Sequence, residues 1–242
     1  MKKIKFLSNR SWLNSDSPSR PKPMGKFIPE WYKIADRFFK MPSGEYVKHQ
    51  IGGRVPTWKA CPSIYDVMTT GYTYLTPYDI EVSRDENNNP VIRDFDPSGF
   101  QFVQPRGVMD GFPVPAGYDA VHFAWWPDWA VELPKGYSGL YIQPINRFDL
   151  PFLTTSGIID NDKVSIPGTM PFFIKQDFSG TIPAGTPYVQ IIPFKRENWE
   201  SEYEYESNPE AIYQKNAINS RKYRVPDGGV YLRDVWERRT YK

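Results

Sequence analysis

The sequence predicts a mainly β fold, and three features predict it. Short runs of aromatic and β-branched residues recur from about Val55 to Phe194, each bounded by Pro, Gly, Asn or Asp. Between these runs there is no amphipathic stretch of the ~10–15 residues that a crossover helix needs, so a sandwich or barrel is expected, not alternating strands and helices. The 24 prolines among 242 residues break any long helix. Aromatic residues make up 16% of the chain and apolar residues 40%, enough to fill a core and too many for general disorder.

Residues 14–25 are polar, with prolines at 18, 21 and 23, and read as an extended arm. Pro29 suits the first position of a helix, with Trp31, Ile34 and Phe38 on one face, and that helix is expected to stop near Met41–Gly44. Strands are then expected at Tyr72–Thr76, Asp79–Ser83, Val91–Arg93, Phe100–Val103, Ala120–Trp125, Trp129–Leu133, Gly139–Gln143, Pro171–Lys175 and Tyr188–Ile192. An apolar–Pro–x–Gly turn recurs at Val114, Leu133, Ile182 and Val225, and the Leu133–Gly139 turn is expected to join two adjacent strands. Asn208-Pro209 opens a second helix running to about Lys222. The expected organisation is an N-terminal arm with a short helix (1–50), a β-rich core (51–200), and a C-terminal helix and tail (201–242).

Charge and special residues exclude several functions. Thirty cationic and 28 anionic side chains leave a net charge of +2, which gives no bulk attraction to nucleic acid or anionic lipid. One cysteine, Cys61, forms no internal disulfide, and with only His49 and His122 it builds no Cys/His zinc cage. No metal or cofactor is expected. Met1-Lys2-Lys3 is not followed by the apolar run of a signal peptide, and no stretch is apolar enough to span a membrane. Neither export by a signal peptide nor membrane association is expected.

The stretch from Leu133 to Gln190 carries a resemblance. Leu133-Pro134-Lys135-Gly136-Tyr137-Ser138-Gly139, then Gly157-Ile158-Ile159-Asp160, then Gly185 through Gln190 fall in the order of the motifs of the dUTPase and dCTP-deaminase superfamily. The resemblance implies a β-clip-like core and, carried over residue by residue, a nucleotide-recognising enzyme with Asp160 as base and Arg147 as phosphate ligand. The departures weigh against that activity. Pro144-Ile145-Asn146-Arg147 stands where the superfamily has Pro-Arg-Ser, and Lys163-Val164-Ser165 replaces the aromatic-Arg-Gly of the base pocket. A second series is similar to an uncharacterised family of bacteriophages and some bacteria. It comprises Pro23, Ile28-Pro29-Glu30-Trp31-Tyr32-Lys33, Lys59-Ala60-Cys61-Pro62, Asp66 through Tyr72, Gly136-Tyr137-Ser138, Pro144-Ile145-Asn146-Arg147 and Ile191 through Phe194.

Each candidate residue has two readings. Asp160 and Asp162 are either a carboxylate pair for Mg²⁺ or general-base work, or a solvated turn bonding its own backbone, and the turn is favoured. Asn146 and Arg147 either meet a phosphate, or Arg147 pairs with Asp149 or Asp160 to fix its loop. Trp125, Trp126 and Trp129 either stack on a sugar or base, or pack in a core or interface. Cys61 has no neighbour to activate it, and His122 sits in an alternating strand run. The expected function is a non-enzymatic structural or interaction protein of a bacteriophage, a virion component or assembly partner. It would act through protein partners, either copies of itself or virion neighbours. A nucleotide-recognising enzyme on the dUTPase-like scaffold is the alternative.

Overall fold

The structure, a computed structural model, describes residues 2–8, 17–48, 53–94, 101–203, 205, 207–215 and 236–242. His49 and the turn expected at Val225 lie outside the described residues.

Two compact units divide the chain, with breaks after Phe27, Thr69, Arg196 and Thr240. The first comprises residues 1–27, 70–196 and 241–242. It carries all the named strands: β1 (Lys5–Leu7), β2 (Lys22–Pro23), β3 (Tyr72–Leu75), β4 (Ile80–Arg84), β5 (Pro90–Asp94), β6 (Val103–Gly107), β7 (Tyr118–Trp125), β8 (Ala130–Glu132), β9 (Tyr137–Ile142), β10 (Phe152–Thr154), β11 (Gly157–Ile159), β12 (Met170–Lys175), β13 (Gly180–Ile182) and β14 (Pro187–Lys195). They form a five-stranded sheet (β11-β9-β14-β3-β2), a four-stranded sheet (β10-β12-β7-β6), a three-stranded sheet (β13-β4-β5) and the pair β1-β8. Every pairing is antiparallel. The mainly β expectation is met, with strands at all nine predicted places within a few residues except Phe100–Val103, where pairing starts at Val103.

One apolar cluster joins these sheets. Tyr74, Tyr141, Tyr188 and Ile191 come from the five-stranded sheet, Phe123, Trp125, Phe152 and Phe172 from the four-stranded sheet, and Ile80, Val82 and Ile182 from the three-stranded one. Trp125 stacks on Phe172 with ring centroids 3.6 Å apart and meets Phe152 edge-on. Aromatic pairs of this kind contribute beyond the area they bury. Arg84 adds a polar tie: its guanidinium pairs with Asp119 at 2.7 Å and donates to the carbonyls of Asn88, Lys175 and Phe178.

The turn at Pro183-Ala184-Gly185 closes with Thr186 N–H donating to Pro183 O at 3.2 Å, and Gly185 takes the positive φ of +78° that its turn needs. The Leu133–Gly139 turn corrects the expectation. It follows β8, which pairs with β1, and precedes β9, which pairs with β11 and β14, so it passes between sheets and makes no hairpin. Pro134 has no N–H to continue a ladder, and the Leu133 N–H goes to Asn161 O.

The second unit comprises residues 28–69 and 197–240. Its first helix, α1, covers only Glu30–Ile34, far short of the expected stop near Met41. After Ala35 the backbone extends, and Phe38 and Lys40 form antiparallel bridges to Pro56 and Tyr46. The aromatic pair Phe38-Phe39 suits a bridge ladder better than a helix. Phe38 is thereby buried under the Arg54 guanidinium, while Ile34 stays exposed. Where strands were expected from about Val55, the chain makes a 3₁₀ turn at Trp58–Ala60 and a helix, α2, at Pro62–Thr69. Proline at its first position carries that signal. Residues 209–215 are helical, with the Asn208 side chain capping Glu210 N–H at 3.1 Å, and the rest of the expected helix lies outside the described residues. Trp236 docks on α2, donating from Nε1 to Asp66 at 2.9 Å and meeting Tyr65 edge-on. No helix among the described residues is long and apolar enough to cross a membrane.

Candidate functional site

The ladder between β14 and β9 ends at Lys195 opposite Tyr137, which delivers Arg196 to the turn before β9. There Arg196 N–H donates to Gly136 O at 2.9 Å, and its guanidinium faces the residues that follow β11. Arg196 Nη1 donates to Asp162 Oδ1 at 2.7 Å and Nη2 to Oδ2, while Gly136 N–H donates to the same Oδ2 at 2.7 Å. Asp160 accepts from Ser138 Oγ at 2.7 Å and lies 3.1 Å from Arg196, with Lys163 Nζ 3.3 Å from its other oxygen. The structure does bring Asp160 and Asp162 together, but around a shared arginine.

The chemistry of that arrangement is a lock. Hydrogen bonds from Arg196 and then from the Gly136 N–H hold the Asp162 carboxyl down at about 2, and hydrogen bonds from Ser138 and Lys163 lower Asp160. A general base working near neutral pH is raised toward that pH, and these two are pushed the other way. All four oxygens have donors, and Arg196 with Lys163 balances both charges. The described residues contain no group of three or more His, Cys, Asp or Glu placed to hold a metal ion. These contacts favour the reading of residues 160–162 as a turn that bonds its surroundings.

Arg147 follows the loop-fixing alternative. Its guanidinium grips Asp149 with bonds of 2.7–3.1 Å and donates to Phe27 O at 3.3 Å. Asn146 sits in the left-handed region, with φ +59°, inside the turn closed by Arg147 N–H on Pro144 O. Trp125 is a correction: it is fully buried, stacked on Phe172, with Nε1 donating to Thr154 Oγ1 at 3.0 Å, so no ligand reaches its faces. Trp126 is exposed. His122 is buried, its Nδ1 2.7 Å from Gly107 O and its ring against those of Phe112 and Phe173. Cys61 is a half-buried free thiol.

Trp129 lines a cavity. This space of about 760 Å³ is lined by Ile4, Phe6, Tyr72 and Trp129, by Pro21 and Pro23, and by Arg20, Lys22, Lys26 and Lys242. Strand pairing builds it. β1 on β8 sets Phe6 against Tyr72, edge-on at 5.4 Å, and β2 on β3 places Lys22 opposite Thr73. Met24 N–H donates to Gly71 O at 3.0 Å, turning the chain so that Lys26 joins the rim. Tyr72 donates to Lys242 O at 3.1 Å, and burial raises its phenol. Trp129 Nε1 donates to Ser19 Oγ. Among the described residues, four cationic side chains and no carboxylate side chain line the space, and aromatic rings form part of its walls. Such a site suits a partner that is both acidic and aromatic. Sequence reasoning missed Phe6, Arg20, Lys22, Lys26 and Tyr72. The one local signal was the alternation Arg20-Pro21-Lys22-Pro23, in which proline spacing puts cations on a stiff extended backbone.

No family model and no curated protein matches the chain. Among solved structures it is similar to a mutant dUTPase from phage phi11 of S. aureus, at 14% identity and a TM-score of 0.26, over 46% of this chain and 99% of that one.

Proposed function

We propose that this chain is a non-enzymatic assembly protein of a bacteriophage, a virion component or assembly partner, whose cation-and-aromatic cavity receives a segment of a protein partner. The cavity carries this reading. Arg20, Lys22 and Lys26 beside Phe6, Tyr72 and Trp129 supply charge and stacking surface. The locked carboxylates support it, since Asp160 and Asp162 are committed to Arg196, Ser138 and Lys163. The resemblance of the motif series to an uncharacterised phage family supports the particle context.

Two measurements test it. Full-length protein incubated with a panel of deoxynucleoside triphosphates and Mg²⁺ should turn none of them over. Pyrophosphate release from dUTP or dCTP that Asp160→Asn abolishes would overturn the reading in favour of a nucleotide-processing enzyme. Mass spectrometry of purified particles and assembly intermediates of the encoding phage should find the chain, and its absence from both would overturn the particle assignment.

A further inference from the structure

The second unit supplies a segment with the chemistry the cavity asks for. Trp199-Glu200-Ser201-Glu202-Tyr203 has no regular secondary structure, and Trp199 and Tyr203 are 88% and 91% exposed. Large aromatic side chains left this open are characteristic of contact surfaces, where Trp and Tyr act as anchors. Glu200 and Glu202 alternate with them, so an extended backbone would present aromatics to one side and carboxylates to the other. The segment contains no cation.

We infer that the cavity docks the Trp199–Tyr203 segment of a second copy of this chain. The inference rests on the assembly reading above and names its partner. Charge complementarity is the argument: among the described residues the cavity has four cationic and no anionic side chains, and the segment has two anionic and no cationic ones. The ammonium groups of Lys22 and Lys26 have no ion-pair partner among the described residues, so both can meet a carboxylate. Size agrees, because about 760 Å³ lies within the ~300–1,000 Å³ of ordinary side-chain and ligand sites. Five extended residues span roughly 17 Å, enough to seat one aromatic inside while the carboxylates meet the rim. Each copy offers one socket and one plug, so the contact is head-to-tail and generates rings or open chains.

Charge reversal in the full-length protein tests this. Wild type should show by light scattering a mass above the 28.1 kDa of one chain, falling as salt is added. Lys22→Glu with Lys26→Glu, and separately Glu200→Lys with Glu202→Lys, should each weaken association about 100-fold, since each now sets like charges together. Mixing the two variants should restore it, because each reversed socket then meets an oppositely charged plug. Trp199→Ala with Tyr203→Ala alters only exposed side chains, so the fold stays intact, and should also cut association by about tenfold or more. A monomeric wild type, reversals that leave the mass unchanged, or a mixture that fails to associate would each overturn the inference. Those failures leave the assembly reading standing on the particle measurement, whereas nucleotide turnover would remove the reading whatever the mass.

Discussion

Replacing Gly71 with alanine should damage the five-stranded sheet far more than the same change at Gly185. The two glycines share a backbone conformation, with φ of +77° and +78°. Alanine costs about 1–2 kcal/mol there, offset by ~0.4–1 kcal/mol from a stiffer unfolded chain, leaving roughly 1 kcal/mol at either site. Their surroundings differ. A Cβ at Gly185 meets nothing within 4 Å, whereas at Gly71 it lies 2.1 Å from the carbonyl oxygen of Ile191. Restoring ordinary contact at 3.4 Å requires β3 and β14 to part by roughly 1.3 Å where Tyr72 pairs with Ile191. Overpacking of this kind costs ~1–3 kcal/mol, and losing a bond such as Met24 N–H to Gly71 O adds ~1 kcal/mol. The expected totals are about 1 kcal/mol for Gly185→Ala and about 3–5 kcal/mol for Gly71→Ala. At ~2–4 °C per kcal/mol for a chain of this length, Tm should fall by about 2–4 °C and about 6–20 °C respectively. Thermal unfolding followed by near-UV circular dichroism reads both. Equal losses at the two sites would refute the close approach of β14 to Gly71 and the pairing that places it.

Three further outcomes follow from the core and the carboxylate lock. The folded Asp162 carboxyl titrates at about 2, below its unfolded value of ~3.9, so its stabilisation is full above the unfolded value and is lost as pH falls through about 2. Thermal midpoints measured from pH 5 to pH 2 should therefore decline in wild type and decline less in Asp162→Asn, which should be the less stable protein at pH 7. Trp125→Ala should cost about 3–5 kcal/mol in urea unfolding, because the void opens beneath Phe172 and Phe152 where the surroundings are already full. Arg84→Met should cost about 3 kcal/mol in the same assay, by leaving Asp119 with its charge mostly buried and unpaired; a second change, Asp119→Asn, should recover part of that loss.

Much of the fold was legible because strand signals are local. Tyr72–Leu75 and Phe172–Ile174 are aromatic and β-branched runs closed by turn residues, and both became strands with buried faces. The misses have a common physical cause, which is that partners outside the local window decided the outcome. The segment after Ile34 left its helix because Pro56 and Tyr46 offered it bridges, and Leu133 lost its hairpin because β8 found β1 more than a hundred residues away. β1 and β2 are three and two residues long and exist only through their partners β8 and β3, so no period could reveal them. The carboxylate cluster was partly visible, since Asp160 and Asp162 stand together in sequence. Arg196, which decides what those carboxylates can do, lies over thirty residues downstream and reaches them only through the β9–β14 ladder.

The same dependence on distant pairing explains why the cavity sits where it does. Residues 14–25, polar and proline-rich, bury too little to fold alone, and a chain of that composition gains order by lying along an existing sheet edge. β2 does this: Lys22 and Pro23 add to the free side of β3 and so close that edge of the five-stranded sheet. Proline tolerates this position because an edge strand needs fewer ladder donors. Pro21 and Pro23 line the space together with Arg20 and Lys22, beside Trp129, and the next turn brings Lys26 to the same cavity. The cations are thus concentrated by the edge-closing segment itself. A basic, aromatic-walled cavity can arise in a protein whose net charge is only +2, because the fold gathers side chains that the sequence keeps apart.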